Sequence, residues 1–231
     1  MTTLGRSFGS IRVRTPLVQP GSRIGIMGGS FNPVHAGHVI VAQTALKRLG
    51  LDQLWWVVTP GNPLKPHGGL ASLPDRMSAC RRLARNPRMK ITGFEFALGS
   101  PFTAVTLSFL KQRYRANQFV WVMGADNMAS FDRWQNWRGI AGSMPIAVVD
   151  RPGWRHKALA SPAAHALANA RIAESSAKTL ASHPAPAWVF LTTRLSKLSS
   201  TALRENEPGQ PGATKSVTLQ QHFASQRSLT S

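Results

Sequence analysis

Two histidines stand three residues apart, His35 and His38, just behind the glycine pair Gly28 and Gly29 and an Asn32-Pro33 turn. Imidazole can donate, accept or carry a proton near neutral pH. Glycine lets a ligand come up to backbone N–H groups that a Cβ would shield. The stretch RIGIMGGSFNPVHAGH, residues 23–38, therefore holds the parts of an anion site: unpaired backbone donors at a helix N-terminus with two imidazoles beside them. The alternatives are a zinc pair or two structural histidines. Zinc takes three or four ligands, and no carboxylate, cysteine or further histidine lies in this stretch.

Holding these groups in place requires a strand, a turn and a helix. Residues 23–27 read as a short buried strand that Gly28 and Gly29 end. A helix starting near Ala36 projects both imidazoles from its first turn on the same side. Val39, Ala42, Leu46 and Leu49 keep helical spacing, Lys47 and Arg48 occupy the last turn, and Gly50 is the stop. LWWVV, residues 54–58, is the next strand, parallel to the first with a right-handed crossover. The loop after it carries Lys65 and His67, which either meet a substrate phosphate or are solvated charges. Residues 75–85 read as a basic amphipathic helix with Met77, Cys80, Leu83 and Ala84 inward and its arginines on a solvated face. Residues 89–97 read as a short strand pair or irregular strand, and a helix opens near Thr103. FVWVMGAD, from Phe119, repeats the strand-then-glycine pattern and ends in Asp126; residues 145–150 and AWVFL, from Ala187, are the last strands. The alanine-rich residues 157–181, interrupted by Pro162, favour helix and cover one face of the sheet or bridge to its last strand. Alternating strands and helices predict an α/β fold, a Rossmann-like doubly wound parallel sheet.

GGSFNPVHAGH resembles the strand–loop–helix of the nucleotidylyltransferase superfamily, whose mark is His-x-Gly-His at the start of the first helix, and GGSFNPVH narrows the likeness to the nicotinate-mononucleotide adenylyltransferase branch. The resemblance runs from Arg23 to Arg204 through four motifs in order. It implies the nucleotidylyltransferase type of fold, with Gly29, Ser30, Phe31, His35 and His38 around the ATP phosphates. In SPFTAVTL it sets Thr103 against the nicotinate carboxylate, although a threonine there also suits a helix N-cap; Val105 stands where the family commonly has aspartate. In MGADNMASFDRWQNW it implies that Asp126 accepts the ATP ribose hydroxyls and that Trp134 stacks on the nicotinate ring, with Trp137 its buried neighbour. In LSSTALR it implies that Ser199, Ser200 and Thr201 bind ATP at a short helix start, with Arg204 gripping phosphate one turn on. Lys65 is a substrate-binding candidate. By the same resemblance His35, His38 and Arg204 carry catalysis of adenylyl transfer from ATP to nicotinate mononucleotide in NAD biosynthesis. The expected metal is Mg2+ carried by the ATP phosphates, with no protein metal site.

The 231 residues suit one domain, or one with a small appendage. We expect a basic, disordered extension over residues 1–22, the nucleotidylyltransferase domain over 23–204 and a disordered tail over 205–231. The formal charge of +19, from 28 basic and nine acidic residues, attracts polyanions of any kind. A basic nucleic-acid-binding module is thus the rival of another class, and nucleic acid is not the expected partner, because zinc-finger spacing, an RNP sequence and an arginine–aromatic tract are all missing. Nicotinamide mononucleotide is the rival acceptor, and pantetheine-phosphate adenylyltransferases, which share the histidine motif, are shorter and lack the Trp134 region. The lone Cys80 excludes an internal disulfide and fits a reducing compartment. With no apolar run near eighteen residues and no secretory signal, neither a membrane span nor a membrane partner is expected, and the expected compartment is the cytoplasm.

Overall fold

The computed structural model describes residues 13–60, 69–100 and 102–193. In chain order the elements are β1 (Arg23–Gly29), α1 (Ala36–Arg48), β2 (Gln53–Val58), α2 (Leu73–Leu83), β3 (Met89–Thr92), α3 (Glu95–Leu98), α4 (Thr103–Arg113), β4 (Gln118–Gly124), α5 (Ala125–Met128), α6 (Trp137–Ser143), β5 (Ile146–Val149), α7 (Arg155–Leu159), α8 (Pro162–Ala166) and β6 (Trp188–Leu191). Single 3-10 stretches lie at Phe131–Arg133, Ala168–Ala170 and Glu174–Ser182. The strands form one open sheet in the order β3-β2-β1-β4-β5-β6, every neighbouring pair parallel. The chain thus builds outward from β1 to β3, then returns to the other side of β1 to place β4.

The central strands read as unbroken apolar runs because both faces of a parallel sheet are covered. Ile24, Ile26, Trp55 and Val57 point into a layer shared with Leu107, Phe109 and Leu110 of α4 and Ile140 of α6. Met27, Leu54, Trp56 and Val58 point into the opposite layer with Val41, Ala42, Ala45 and Leu46 of α1. Gly50, at φ +62, turns the chain out of α1. Cys80 is buried in the second layer, and burial pushes its thiol up to about 11, which keeps it an inert core group.

Three expectations change. Residues 89–97 are not a strand pair: β3 stops at Thr92 and Glu95–Leu98 forms a helical turn. Phe94 and Phe96 imitate strand alternation, but the buried residues are Phe94, Glu95 and Leu98, while Phe96 is exposed. The alanine-rich segment is no single helix. Ser161 caps α8 with Pro162 at its start. The chain then runs beside the edge strand β6, where Arg171 bridges Trp188, and crosses to the other face, so that Ala158 and Ala163 serve one layer and Ala177 and Leu180 the other. It covers the sheet and bridges to its last strand at once. Finally, residues 13–22 pack on the domain: Val13 is buried in the core, the Gln53 side chain donates to Leu17 O, and Asn117 donates to Gln19 O. The N-terminal boundary of the packed domain therefore lies at least ten residues ahead of Arg23.

Candidate active site

A cavity of about 470 Å3 opens at the C-terminal ends of β1 and β4. These are the two strands between which the direction of sheet building reverses, the place where open α/β sheets leave a crevice. Gly28, Gly29 and Ser30 line it from one side, His35 and His38 from the helix beyond, and Gly124, Asp126 and Arg151 from the neighbouring strand tips.

His35 is the N-cap of α1 and His38 its third residue, and together they close a capping box. The Gly37 N–H donates to His35 Nδ1 at 3.1 Å, and the His35 N–H donates to His38 Nδ1 at 3.2 Å. An Nδ1 that accepts an N–H carries no proton itself, so each neutral ring bears its proton on Nε2. The rings lie 4.0 Å apart between centroids. Backbone dipoles of the helix start and two Nε2 donors are thereby held to one side of the cavity.

The turn before them is forced into shape by packing. Phe31 takes a left-handed φ of 48, unfavourable for a residue with a Cβ. Its buried ring offsets this by stacking on Trp56 at 5.1 Å and meeting His38 at 5.0 Å, so any ligand contact of Phe31 is through its backbone. Gly28 is required by a neighbour more than by a ligand: a Cβ there would come within 2.7 Å of the Trp121 ring. Arg76 corrects the reading of α2. It is buried, not solvated, and donates to Ser30 O, Thr59 O and Ala71 O, each at 2.8 Å, tying the end of β1 to the end of β2. Burial lowers its pKa from the ordinary guanidinium value.

At the tip of β4, Asp126 Oδ2 accepts from Arg151 Nη1 at 2.7 Å, while Oδ1 is buried with no partner among the described residues. A Cβ on Gly124 would collide with both side chains, so the glycine makes room for this pair. On the far wall, Thr103 is the first residue of α4 and Phe102 holds the N-cap position, with no side-chain cap. The capping alternative for Thr103 falls away, since a residue inside the helix cannot serve as its N-cap. Trp134 is partly buried, edge-on to Trp121 and Phe131, and lines the cavity; Trp137 is buried. Gly29, Ser30, Phe31, His35, His38, Thr103, Asp126 and Trp134 are thus brought to one cavity. Lys65, His67, Ser199, Ser200, Thr201 and Arg204 lie outside the described residues. The sequence reading missed Arg76, Arg151 and Glu95. Arg151 had a signal, because it stands two residues past the C-terminal end of β5, at the edge of the sheet that faces the crevice, the same rule that selected Asp126.

The fold and the cavity define an open, Rossmann-like α/β protein with a crevice lined by a glycine turn and a helix start. Residues 26–206 match the family model described as cytidylyltransferase-like. Over 186 residues, 80% of this chain and 99% of the relative, the chain is 56% identical to a protein of Rhizobium meliloti named "Probable nicotinate-nucleotide adenylyltransferase". A protein of Agrobacterium fabrum with the same name is 57% identical over 183 residues, 79% of this chain and 98% of the relative. The fold is shared with the Plasmodium falciparum nicotinic acid mononucleotide adenylyltransferase complexed with NaAD, at a TM-score of 0.57 and 16% identity over 79% of this chain and 83% of that one. The chain belongs to the cytidylyltransferase-like family and, within it, to the nicotinate-nucleotide adenylyltransferases.

Proposed function

We propose that the protein transfers the adenylyl group of ATP to nicotinate mononucleotide, giving nicotinate adenine dinucleotide and pyrophosphate. The observation that carries this is the His35–His38 capping box at the glycine turn. It fixes two Nε2 donors and a helix start beside a cavity of nucleotide-site dimensions, in a chain matching relatives so named over nearly their whole length. A phosphate oxygen of the mononucleotide attacks the α-phosphorus of ATP, the bond from that phosphorus to the bridging oxygen breaks, and pyrophosphate leaves. The attacking phosphate is ionised at neutral pH, so neither a strong base nor a covalent intermediate is needed. Positioning and charge stabilisation then supply the rate. His35 and His38 donate to phosphate oxygens, with Gly29, Ser30 and Phe31 offering backbone groups. The orphaned Oδ1 of Asp126 suits a ribose hydroxyl. Thr103 and Trp134 suit the pyridine, Lys65 is a candidate for a substrate phosphate by its charge and its position after β2, and Ser199, Ser200, Thr201 and Arg204 are assigned to the phosphates by resemblance.

Among the described residues no three His, Cys, Asp or Glu side chains gather to hold a metal. Magnesium, which keeps waters and phosphate oxygens as ligands, would enter on the triphosphate. No helix of the described residues is long and apolar enough to cross a membrane.

The test is incubation of the purified protein with ATP, magnesium and either nicotinate or nicotinamide mononucleotide, following pyrophosphate and the dinucleotide formed. Pyrophosphate release with the acid form well above that with the amide is expected. No release with either, from folded protein, overturns the proposal; preference for the amide overturns the acceptor.

A further inference from the structure

One buried acid at the cavity has no part in the chemistry above. Glu95 opens α3 and is 2% exposed, yet it lines the same cavity as Phe102, Thr103 and Trp134. Thr106 Oγ1 donates to its Oε1, and Oε2 is buried with no partner among the described residues. Thr106 lies one helical turn beyond Thr103, so the carboxyl group stands beneath the turn of α4 proposed to meet the nicotinate carboxylate. The other titratable or charged side chains around the cavity are His35 and His38 on α1, Asp126 on α5, Arg133 in the 3-10 turn and Arg151 after β5. The tips of β1 and β4 and the first turn of α4 contribute none. Arg151 is engaged by Asp126, and among the described residues Glu95 forms no ion pair.

A carboxyl group in this setting is sensitive to a second negative charge. Burial pushes it up to about 7, with the Thr106 hydrogen bond pulling the other way. Near neutral pH it therefore exists in both forms. The neutral acid tolerates an anion close by; the carboxylate, without a counter-ion and away from water, repels one.

We propose that Glu95 is a specificity-determining residue for the pyridine substituent: held under the first turn of α4 by Thr106, it admits the acid mononucleotide when neutral and disfavours it when ionised, while leaving the amide unaffected. This rests on the adenylyl-transfer reading above. By linkage, binding of the acid mononucleotide raises the proton affinity of Glu95, and binding of the amide does not.

The experiment is calorimetric binding of nicotinate and nicotinamide mononucleotide to the whole chain from about pH 6 to about pH 8, a window centred on this group. Both ligands carry the same phosphate, so titration of that phosphate, and of histidines beside it, cancels in the ratio of their Kd values. For the native protein the ratio of acid Kd to amide Kd should rise by about fivefold across the range, the part of a one-unit shift from a like charge that falls inside this window. Glu95→Gln keeps an acceptor for Thr106 and cannot ionise; it should bind the acid form with a ratio flat in pH. Glu95→Ala, which loses the anchor, should weaken both ligands, again with a flat ratio. A ratio independent of pH in the native protein overturns the proposal without any variant, and so does a slope that survives in Glu95→Gln. Failure of the native protein to release pyrophosphate with either mononucleotide, while it binds them, is the separate failure of the adenylyl-transfer reading.

Discussion

β1 and β4 lie side by side and both end in glycine, yet the chain does different things beyond the two tips. After Gly29 it makes a tight turn through Phe31 and enters the 13-residue helix α1, whose start is capped by His35 and His38. After Gly124 it enters α5, only four residues long, with no side-chain cap, and presents the Asp126 carboxylate against Arg151. The first tip offers fixed N–H donors in series with a full helix dipole, which suits a spreading negative charge. The second offers an acceptor whose own charge is balanced by an arginine, which suits hydroxyl groups. Two copies of one strand-glycine-helix pattern have become a donor site and an acceptor site through helix length and the side chains at the helix start, two histidines at one tip and an aspartate at the other.

The sharpest way to break this contrast is to remove a donor from the first tip. His38→Ala should lower kcat by a hundredfold or more, about 3 kcal/mol, as for the loss of one oxyanion donor. Since alanine also opens the capping box, the companion variant is His38→Gln, whose amide oxygen can still accept at this helix position. It should restore thermal stability and not turnover. Near-native turnover in a folded His38→Gln protein would show that the imidazole only caps the helix.

The tips also differ in how they are held. Arg76 joins the β1 turn to the end of β2 through Ser30 O and Thr59 O, and the β4 tip has no such buried clamp among the described residues. Arg76→Leu would take the buried guanidinium from the carbonyls of Ser30, Thr59 and Ala71, so we expect a loss of about 2 kcal/mol in unfolding free energy by denaturant titration. The accompanying activity change should fall on the histidine side, as a lower kcat. Unchanged stability would mean that the three carbonyls find other donors.

The donor tip was far more legible in sequence than the rest of the cavity. Glycines, turn residues and histidines follow one another within sixteen residues, and each acts through local geometry: strand end, turn, cap. The strands were legible for a related reason, since burial on both faces writes itself as a continuous apolar run. Arg76 was not legible, because helical periodicity assigns an arginine to the solvent face, and only the carbonyls of two distant strand ends justify burying it. Glu95 was hidden by Phe94 and Phe96, which imitate strand alternation. The docking of Val13, and the breaking of the alanine-rich segment as it rounds the edge of β6, depend on surfaces that exist only after the sheet has formed.

The acceptor tip gives the smallest of these effects and the finest test of the comparison. Asp126→Asn keeps an oxygen acceptor over Gly124 and removes the charge that Arg151 neutralises. Since Oδ1 is the atom with no partner and Oδ2 the one held by Arg151, the substitution should weaken the sugar contact without moving the histidine wall. We expect KM for ATP to rise about tenfold, near 1.4 kcal/mol. kcat and the KM for the mononucleotide should change little, because the donor groups around the phosphates are untouched. Steady-state kinetics with each substrate varied in turn separates the outcomes. A fall in kcat with KM for ATP unchanged would mean that the Asp126–Arg151 pair acts on the reacting phosphate, and that the two tips share one task instead of dividing two.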